Sequence, residues 1–399
     1  MNKVIIVGAG ISGLFASYKL LEAGLCVDLY DHSSGVGKKF LVAGKGGLNL
    51  THSEDLSLFL TKYNDNRGIF ESMLDDFSPN DLIAFCNELG VETFTGSSGR
   101  VFPKELSAAK MLINWGSKLK ENSRFRLFLN HALKDITLVD DGYRLDFFDK
   151  QQKKQVTSSS NIVALGLGGK SWKKTGSDGG WVSLINKLNI KTSPFEAMNC
   201  GQEIDWGESL KNITDYYPLK NVSINGVKGE LMITPFGVEG SLVYAHSKKI
   251  QTDILNKGSC ILEIDLRPDM SINQMLEILK TKREKDSRGN HLRKCLKLNK
   301  VESLILKDKL SKDDYFDDKS VCTLLKGLKL ELLRARPLDE AISTSGGVKF
   351  SEVNKGLESK LYPGLYFMGE MLDWDAPTGG YLFQGCFSSA YRVVKSILS

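Results

Sequence analysis

Residues 3–31 read KVIIVGAGISGLFASYKLLEAGLCVDLYD, and this stretch decides the fold. Its first apolar run (3–7) enters a glycine-rich turn, and residues 11–23 then carry apolar side chains at helical spacing. A second apolar run (26–30) follows and ends at Asp31. The order strand, glycine turn, helix and strand predicts one right-handed βαβ unit, which is the nucleus of an α/β domain with a parallel sheet.

The glycine turn has the spacing GxGxxG, from Gly8 to Gly13. Alone this pattern is weak, but here it joins a strand to a helix and an acid ends the next strand. Gly8 permits the tight turn, Gly10 lets the backbone approach a pyrophosphate, and Gly13 allows close packing of helix on strand. The helix N-terminus favours phosphate, and Asp31 is placed to accept hydrogen bonds from ribose hydroxyls. The unit therefore predicts a dinucleotide site.

A glycine-rich segment directly after the acidic strand favours FAD over a nicotinamide nucleotide. Residues 35–51 read GVGKKFLVAGKGGLNLT, which predicts an irregular loop whose free backbone N–H groups suit a pyrophosphate or a flavin edge. Lys45 and, in a later glycine loop, Lys170 are candidates to face phosphate or flavin. Residues 166–169 read GLGG and lack the GxGxxG spacing, so a second dinucleotide domain is not predicted.

A second flavin motif lies near the carboxyl terminus, where residues 364–384 read GLYFMGEMLDWDAPTGGYLFQ. An apolar strand runs into Gly369-Glu370, and a glycine pair then precedes a helix. The N-terminal dipole of that helix would stabilise negative charge on a reduced flavin. Gly379, Gly380 and Tyr381 are the predicted backbone donors.

The bulk composition is that of an ordinary soluble protein of more than one domain, with 399 residues, 41% apolar and 25% charged. No apolar run is long enough to span a membrane and no secretory signal is evident, so a cytoplasmic protein without a membrane partner is expected. Seven scattered cysteines without a CxxC pair, and five isolated histidines, predict neither disulfides nor a metal site. His246 is interpreted as structural.

Shifts in composition divide the chain into three predicted domains. Residues 1–187 plus 337–399 are expected to form an FAD-binding Rossmann-like domain, 188–270 a β-rich insertion domain, and 271–336 a helical domain. The last segment carries 17 Lys and Arg against 10 Asp and Glu. A solvated helical face is favoured over a nucleic-acid patch, because few aromatic residues are interleaved with these charges. Nucleic acid is therefore not the expected partner but stays open as an alternative, and the oligomeric state is open as well.

Together the motifs resemble the aminoacetone oxidase-like, or BaiN/YhiN-like, NAD(P)/FAD-dependent oxidoreductases, which are single-Rossmann flavoproteins. The resemblance covers essentially the whole chain and implies a Rossmann-like FAD-binding domain, a β-barrel-like insertion and a small helical lid. The motifs that carry it are GAGISG at 8, GKKFLVAGKGGLNLT at 37, GRVFP at 99, ALGLGGKSWKKTGSDGGW at 164, TPFGVEG at 234, DLRPD at 265, ISTSGGV at 342 and GLYFMGEMLDWDAPTGGYLFQGC at 364.

The resemblance also implies which residues contact FAD. Many members read GGGRCN where this chain has GKGGLN from Gly44 to Asn49, so no role of that Arg and Cys is carried over. Ala132 is expected to meet adenine through its backbone. The predicted set is Gly8, Gly10, Ile11, Ser12, Gly13, Asp31, Lys39, Gly44, Gly46, Asn49, Ala132, Gly166, Gly369, Glu370, Gly379, Gly380 and Tyr381.

The function predicted from these features is an FAD-dependent oxidoreductase. Hydride would pass between flavin N5 and a small organic substrate held between the FAD-binding and insertion domains, with O₂ or NAD(P)H as the other redox partner. No acid–base pair or nucleophile stands out. Arg100 is the candidate contact for an anionic substrate group, with a structural salt bridge as the equally open alternative. The alternative functions are an FAD-dependent enzyme or binding protein acting on nucleic acid, and a flavin redox sensor without turnover.

Overall fold

The computed structural model describes residues 3–44, 47–281 and 286–399. They form two units, one from the chain up to Ala197 together with Ile342–Ser399, the other from Met198–Ala341. The finer division into three domains remains a prediction. Within the described ranges, no helix is long and apolar enough to cross a membrane.

The strands are short, and many follow the apolar runs of the sequence. In chain order they are β1 (Lys3–Val7), β2 (Cys26–Tyr30), β3 (Thr51–His52), β4 (Thr93–Thr95), β5 (Arg100–Pro103), β6 (Phe125–Phe128), β7 (His131–Val139), β8 (Gly142–Asp149), β9 (Lys154–Ser160), β10 (Ile162–Leu165), β11 (Thr192–Met198), β12 (Gln202–Glu203), β13 (Tyr217–Ile224), β14 (Val227–Thr234), β15 (Gly237–Glu239), β16 (Cys260–Ile264), β17 (Leu328–Leu332), β18 (Arg334–Ala335), β19 (Ser343–Val348) and β20 (Leu365–Phe367).

Several helices begin at a Ser, Asn or Asp cap, as Ser78 does with a reciprocal capping box to Asp81. In chain order the helices are α1 (Ile11–Glu22), α2 (Lys38–Ala43), α3 (Leu56–Leu60), α4 (Arg67–Asp76), α5 (Pro79–Glu88), α6 (Ala108–Glu121), α7 (Val182–Lys187), α8 (Ser241–Tyr244), α9 (Ser247–Lys257), α10 (Ile272–Leu279), α11 (Arg288–Cys295), α12 (Lys300–Lys309), α13 (Lys312–Phe316), α14 (Asp318–Lys326) and α15 (Tyr381–Leu398).

The first unit is built on a parallel sheet with the strand order β20-β10-β1-β2-β6. Its three central strands are almost continuously buried, as expected for a parallel sheet covered on both faces. The chain runs from β1 to one neighbour, β2, and later returns to the other neighbour, β10, so a topological switch point lies beside β1. The α/β fold class with a Rossmann-like sheet is confirmed.

Helices α1 and α15 pack against each other through an aromatic core. The Phe15 ring lies 5.0 Å from that of Phe387 and 4.9 Å from that of Phe85, both edge-on. Such pairs add specific geometry to the burial of large apolar surfaces. This packing fixes α1, which follows β1, relative to α15, which follows β20.

One local expectation for the first unit is wrong. The segment 35–51, predicted to be irregular, contains α2, because the run KKFLVA within it has no glycine. Between β6 and β7 the chain bends, since Asn130 adopts a left-handed φ of 61°. The chain therefore leaves the parallel sheet after Phe128 and enters the antiparallel sheet β7-β8-β9.

The second unit contains a sheet of order β13-β14-β15-β12-β18, the pair β16-β17, and helices α8 to α14. One buried core joins its strands and helices, with Leu219 and Leu231 from strands and Val301 and Leu325 from helices. The part predicted to be β-rich also contains α8 and α9, because the apolar residues of 247–257 recur at helical rather than alternating spacing.

Candidate cofactor site

A cavity of about 450 Å³ is lined by the loops that follow β1, β2, β10 and β20. The carboxyl ends of parallel strands lie at one edge of the sheet, so these four loops converge there, beside the switch point. The predicted FAD contacts that line this cavity are Gly8, Gly10, Ile11, Ser12, Asp31, Lys39, Asn49, Gly166, Gly369, Glu370, Gly379 and Gly380.

The glycine loop after β1 is packed so closely that two of its glycines admit no side chain. Gly8 has a φ of 108°, and a Cβ there would lie 2.3 Å from the Gly166 carbonyl oxygen. A Cβ on Gly13 would lie 1.9 Å from the Gly8 carbonyl oxygen. A Cβ on Gly10, by contrast, would meet no described atom within 4 Å. The loop therefore turns Gly10 and the start of α1 toward open space in the cavity.

The N-terminus of α1 supplies anion-binding groups to this space. No described side chain caps the helix at Gly10. The first-turn N–H groups of any α-helix lack intrahelical partners, and together with the helix dipole they favour a phosphate. Ile11 and Ser12, the first two residues of α1, both line the cavity.

Asp31 ties the glycine loop to the end of β2. Its Oδ2 accepts a hydrogen bond of 2.7 Å from the Ala9 N–H, and its Oδ1 accepts one of 2.7 Å from the Ser33 N–H. A carboxylate has about four lone-pair sites, so acceptor capacity remains for a hydroxyl in the cavity. The geometry fits the predicted ribose contact.

Lys39 and Glu370 come from distant parts of the chain and form an ion pair on the cavity wall. The Lys39 Nζ lies 2.7 Å from Glu370 Oε2 and donates a second hydrogen bond of 2.9 Å to Ser171 Oγ. The helix α2 positions the lysine, and the turn after β20 positions the carboxylate. The pair joins two walls of the cavity that are 331 residues apart in sequence.

Asn49 presents an unsatisfied acceptor at the cavity. Its Oδ1 is buried and has no hydrogen-bond partner among the described residues. Such an orphaned group costs about 1–3 kcal/mol unless it is paired. FAD carries hydroxyl and N–H donors, so the residues around this cavity fit that cofactor.

The N-terminus of α15 is a second uncapped helix start at the cavity. Gly380 has a φ of 99°, and a Cβ there would lie 2.5 Å from the backbone of Thr51. No described side chain caps this helix. Leu382 and Phe383, from its first turn, line the cavity. The arrangement fits the predicted stabilisation of negative charge on a bound flavin.

The family of the chain follows from comparison with known proteins. Residues 2–396 match the family described as HI0933-like protein Rossmann domain. The chain belongs to this family. It is an FAD-dependent oxidoreductase, so FAD as the cofactor and the predicted enzyme class are confirmed.

Curated relatives of this HI0933-like flavoprotein span almost its whole length. It is 24% identical to a 3-dehydro-bile acid delta(4,6)-reductase of Clostridium scindens, over 98% of each chain. It is also 24% identical to a ribosomal RNA dihydrouridine synthase of Haemophilus influenzae, over 98% of each chain.

Solved structures share the fold of the HI0933-like flavoprotein. A 3-ketosteroid-delta4-(5alpha)-dehydrogenase from Rhodococcus jostii matches with a TM-score of 0.55 at 13% identity, covering 100% of this chain and 97% of that one. A flavocytochrome c3 fumarate reductase matches with a TM-score of 0.54 at 13% identity, covering 100% of this chain and 79% of that one.

Some predicted FAD contacts of the HI0933-like flavoprotein do not line the described cavity. Gly13 packs under the glycine loop, and a Cβ on Gly44 would lie 2.4 Å from that of Ala108 in α6. Ala132 pairs with Phe148 in the antiparallel sheet. Tyr381 is also absent from the lining, and Gly46, like Lys45, lies outside the described residues. Their contacts with FAD remain predictions.

Several residues that line the cavity are not among the predicted FAD contacts. The loop after β10 contributes more than its predicted Gly166, and its signal was a glycine-rich stretch directly after a buried strand. Burial raises the pKa of the Cys386 thiol well above its ordinary value, so this lining residue stays protonated. The missed residues include Leu167, Gly168, Trp172, Thr175, Gly176, Ser177, Met368, Leu382, Phe383 and Cys386.

Arg100 lies at the rim of the cavity rather than in its lining. It belongs to β5, opposite His52 of β3, and a Cβ on the lining residue Gly379 would lie 4.0 Å from its Nε. Among the described residues its guanidinium has no ion-pair or hydrogen-bond partner. The alternative of a structural salt bridge thus finds no partner in the described part of the chain.

Tyr381 contacts two residues, Glu54 and His52, near Arg100 at the same rim. Its hydroxyl donates a hydrogen bond of 2.5 Å to Glu54 Oε1, and its ring stacks on that of His52 at 5.6 Å. Burial, reinforced by this bond, raises the pKa of Tyr381, so the hydroxyl stays a neutral donor. Neither Lys170 nor His246 lines the cavity. The backbone N–H of Lys170 donates a hydrogen bond to Thr344 Oγ1, and the Nδ1 of His246 lies 2.9 Å from the carbonyl oxygen of Leu242.

Proposed function

We propose that this flavoprotein transfers hydride between FAD and a small organic substrate that carries an anionic group, with O₂ or NAD(P)H as the other redox partner. The observation that carries the proposal is the Arg100 guanidinium, which lies beside Gly379 at the cavity rim and has no ion-pair partner among the described residues. Guanidinium binds carboxylate bidentately, so it would fix both the position and the orientation of such a substrate.

Different residues around the cavity would bind different parts of FAD and the substrate. Bound FAD supplies the hydride chemistry of its flavin ring. The start of α1 would hold the pyrophosphate, and Asp31 would hold a ribose hydroxyl. The start of α15 would favour negative charge on the flavin, and Arg100 would hold the substrate. No side chain needs to act as a nucleophile in this scheme.

The names of the relatives support the reductive direction. One relative is named a delta(4,6)-reductase and another a dihydrouridine synthase. Both names denote the addition of hydrogen to an unsaturated substrate. In that direction NAD(P)H would supply the hydride and water the proton that together add to the unsaturated substrate.

The proposal is tested first on the bound flavin. We expect the purified protein to be yellow and to retain FAD. NADH or NADPH should bleach the flavin band anaerobically, and an unsaturated organic acid should restore it. A protein that takes up no FAD on reconstitution contradicts the proposal. A flavin that is reduced but reoxidised by no member of an acceptor panel, including O₂, would instead support the redox-sensor alternative.

Nucleic acid as the substrate is the second candidate, and one observation in the second unit favours it. The Nζ of Lys300 lies 5.9 Å from the centre of the Tyr217 ring. A neighbouring groove of about 490 Å³ is lined by Lys220, Asn221 and Lys297 among others. The aromatic residue comes from β13, outside the basic helical segment, so the fold adds an aromatic ring beside the lysines to the few that the segment itself carries.

Charge reversal tests this candidate. If RNA binds there, Lys297→Glu with Lys300→Glu should weaken RNA binding by about tenfold or more, because phosphate contacts dominate affinity. The matched control is Lys118→Glu with Lys120→Glu on α6. Filter binding at two salt concentrations would measure both variants. Equal RNA affinity of the two double variants would exclude this surface.

A further inference from the structure

The strand β5 presents the half-buried side chains of Arg100 and Phe102 on one face of the small sheet β3-β5-β4. Arg100 and Phe102 are half-buried, whereas Val101 and Pro103 between and after them are buried. Successive side chains of a strand point to opposite faces, so the guanidinium and the phenyl ring share the outer face. Phe94 of β4 pairs with Phe102, and the two rings stack at 5.6 Å with an interplanar angle of 28°.

This face adjoins the cofactor cavity at two points. A Cβ on Gly379 would lie 4.0 Å from the Nε of Arg100, and a Cβ on Gly47 would lie 3.8 Å from Cε1 of Phe102. Both glycines line the cavity. A ligand on the face would therefore lie next to the cofactor.

The two phenyl rings and the guanidinium on this face favour a particular kind of ligand. Phe94 is 39% exposed and its ring stacks on that of the half-buried Phe102, so the two rings form one apolar patch beside Arg100. Phenyl faces prefer flat, offset-stacked partners. A guanidinium such as that of Arg100, which has no ion-pair partner among the described residues, prefers a carboxylate. Arg100 and Phe102 are two residues apart on a strand, so they lie about 7 Å apart along it. The ligand must then carry its anionic group on a short extended arm from its flat part.

We propose that the face formed by Arg100, Phe102 and Phe94 binds a planar conjugated carboxylate, with the flat system against the rings and the carboxylate on the guanidinium. This inference rests on the proposed function and narrows its substrate from an organic anion to a planar, unsaturated one. The committed occupant is a small carboxylate. A uridine nucleotide also has a flat ring and an anionic group, so tighter binding of a uridine nucleotide than of the carboxylate would contradict the proposal.

The test is calorimetric titration of the FAD-loaded protein, which does not depend on turnover. The probes are trans-cinnamate, its non-planar analogue cyclohexanepropanoate, its neutral analogue cinnamamide, and uridine 5′-monophosphate. We expect trans-cinnamate to bind at least tenfold more tightly than each of the others. Equal affinity for the non-planar acid, or tighter binding of the nucleotide, overturns the inference.

Substitutions on the face test whether trans-cinnamate binds there. Phe102→Leu and Arg100→Gln should each weaken trans-cinnamate binding at least fivefold, and Arg100→Lys should recover only part of the loss, because an ammonium lacks the planar fork. The matched control Phe316→Leu removes a ring that is 62% exposed in the second unit and should change nothing. If Phe102→Leu loses FAD or fails to fold, Phe94→Leu at its exposed position replaces it. An unchanged dissociation constant in a folded ring variant overturns the inference.

The two levels of proposal fail separately. If the ring variants keep the wild-type KM while the protein turns over with NAD(P)H, the planar class is wrong and the proposed function stands. If trans-cinnamate binds as expected but the flavin exchanges no hydride with any acceptor, the proposed function is wrong and the binding face stands.

Discussion

Gly13→Ala is expected to abolish FAD binding and to destabilise the first unit. The new Cβ would lie 1.9 Å from the carbonyl oxygen of Gly8 and 3.4 Å from Cγ2 of Ile6. The glycine loop is also packed closely on another side, because a Cβ on Gly8 would lie 2.3 Å from the Gly166 carbonyl oxygen. Overpacking of this kind costs about 1–3 kcal/mol or more, and the loop that shifts is the one that holds the phosphate. FAD content and the midpoint of thermal unfolding measure the two effects.

Substitutions at two other glycines show whether Gly13→Ala loses FAD because the protein is destabilised or because the phosphate-binding loop has shifted. Gly116→Ala lies inside α6, where a Cβ would meet no described atom within 4 Å, so a gain of about 0.5–1 kcal/mol in stability and unchanged FAD binding are expected. Gly10→Ala also meets no described atom, but its methyl group would project into the cavity. It should keep the unfolding midpoint and lose FAD affinity. If Gly13→Ala retains wild-type FAD content, the glycine loop does not position the cofactor.

The part of the site that could be predicted from sequence is the part made by local geometry. The turn between β1 and α1 needs small residues at fixed positions. The GxGxxG spacing and the acid after β2 therefore predict a dinucleotide site from sequence alone. The segment after β20 is similar, because a strand, a glycine pair and a helix start lie within twenty-one residues of sequence. These two stretches converge because both follow strands of one parallel sheet.

The remainder depends on contacts that sequence spacing does not encode. The loop after β10 lines the cavity because β10 pairs with β1, although the two strands are separated by most of the first unit. Lys39 and Glu370 were predicted individually, but their ion pair across 331 residues was not. For Arg100 the sequence leaves ligand contact and salt bridge open, and the surroundings of its guanidinium are set by strand pairing that sequence spacing does not show. The helix α2 was not predicted, because the high glycine content of the whole segment 35–51 hides the glycine-free run within it.

Asp31→Ala is expected to raise the dissociation constant of FAD by about a hundredfold, which corresponds to about 2.7 kcal/mol. The substitution removes two hydrogen bonds of 2.7 Å, from the N–H groups of Ala9 and Ser33, and the remaining acceptor capacity at the cavity. Hydrogen bonds to a charged group contribute about 1.5–3 kcal/mol each. Part of that loss should appear in the stability of the FAD-free protein, and part should appear only on cofactor binding.

Asp149→Ala distinguishes the loss of protein stability from the loss of FAD affinity. Like Asp31, Asp149 accepts hydrogen bonds from two backbone N–H groups, but it does not line the described cavity. Its Oδ1 accepts hydrogen bonds of 2.9 Å and 3.1 Å from the N–H groups of Gln151 and Gln152, which hold its pKa below the ordinary value. The carboxylate braces the turn after β8, and Asp149 does not line the described cavity. Asp149→Ala should therefore lower the unfolding midpoint about as much as Asp31→Ala does, and leave FAD affinity unchanged. If both variants lose stability alike and both bind FAD as the wild type does, Asp31 is only a loop brace and the predicted ribose contact is wrong.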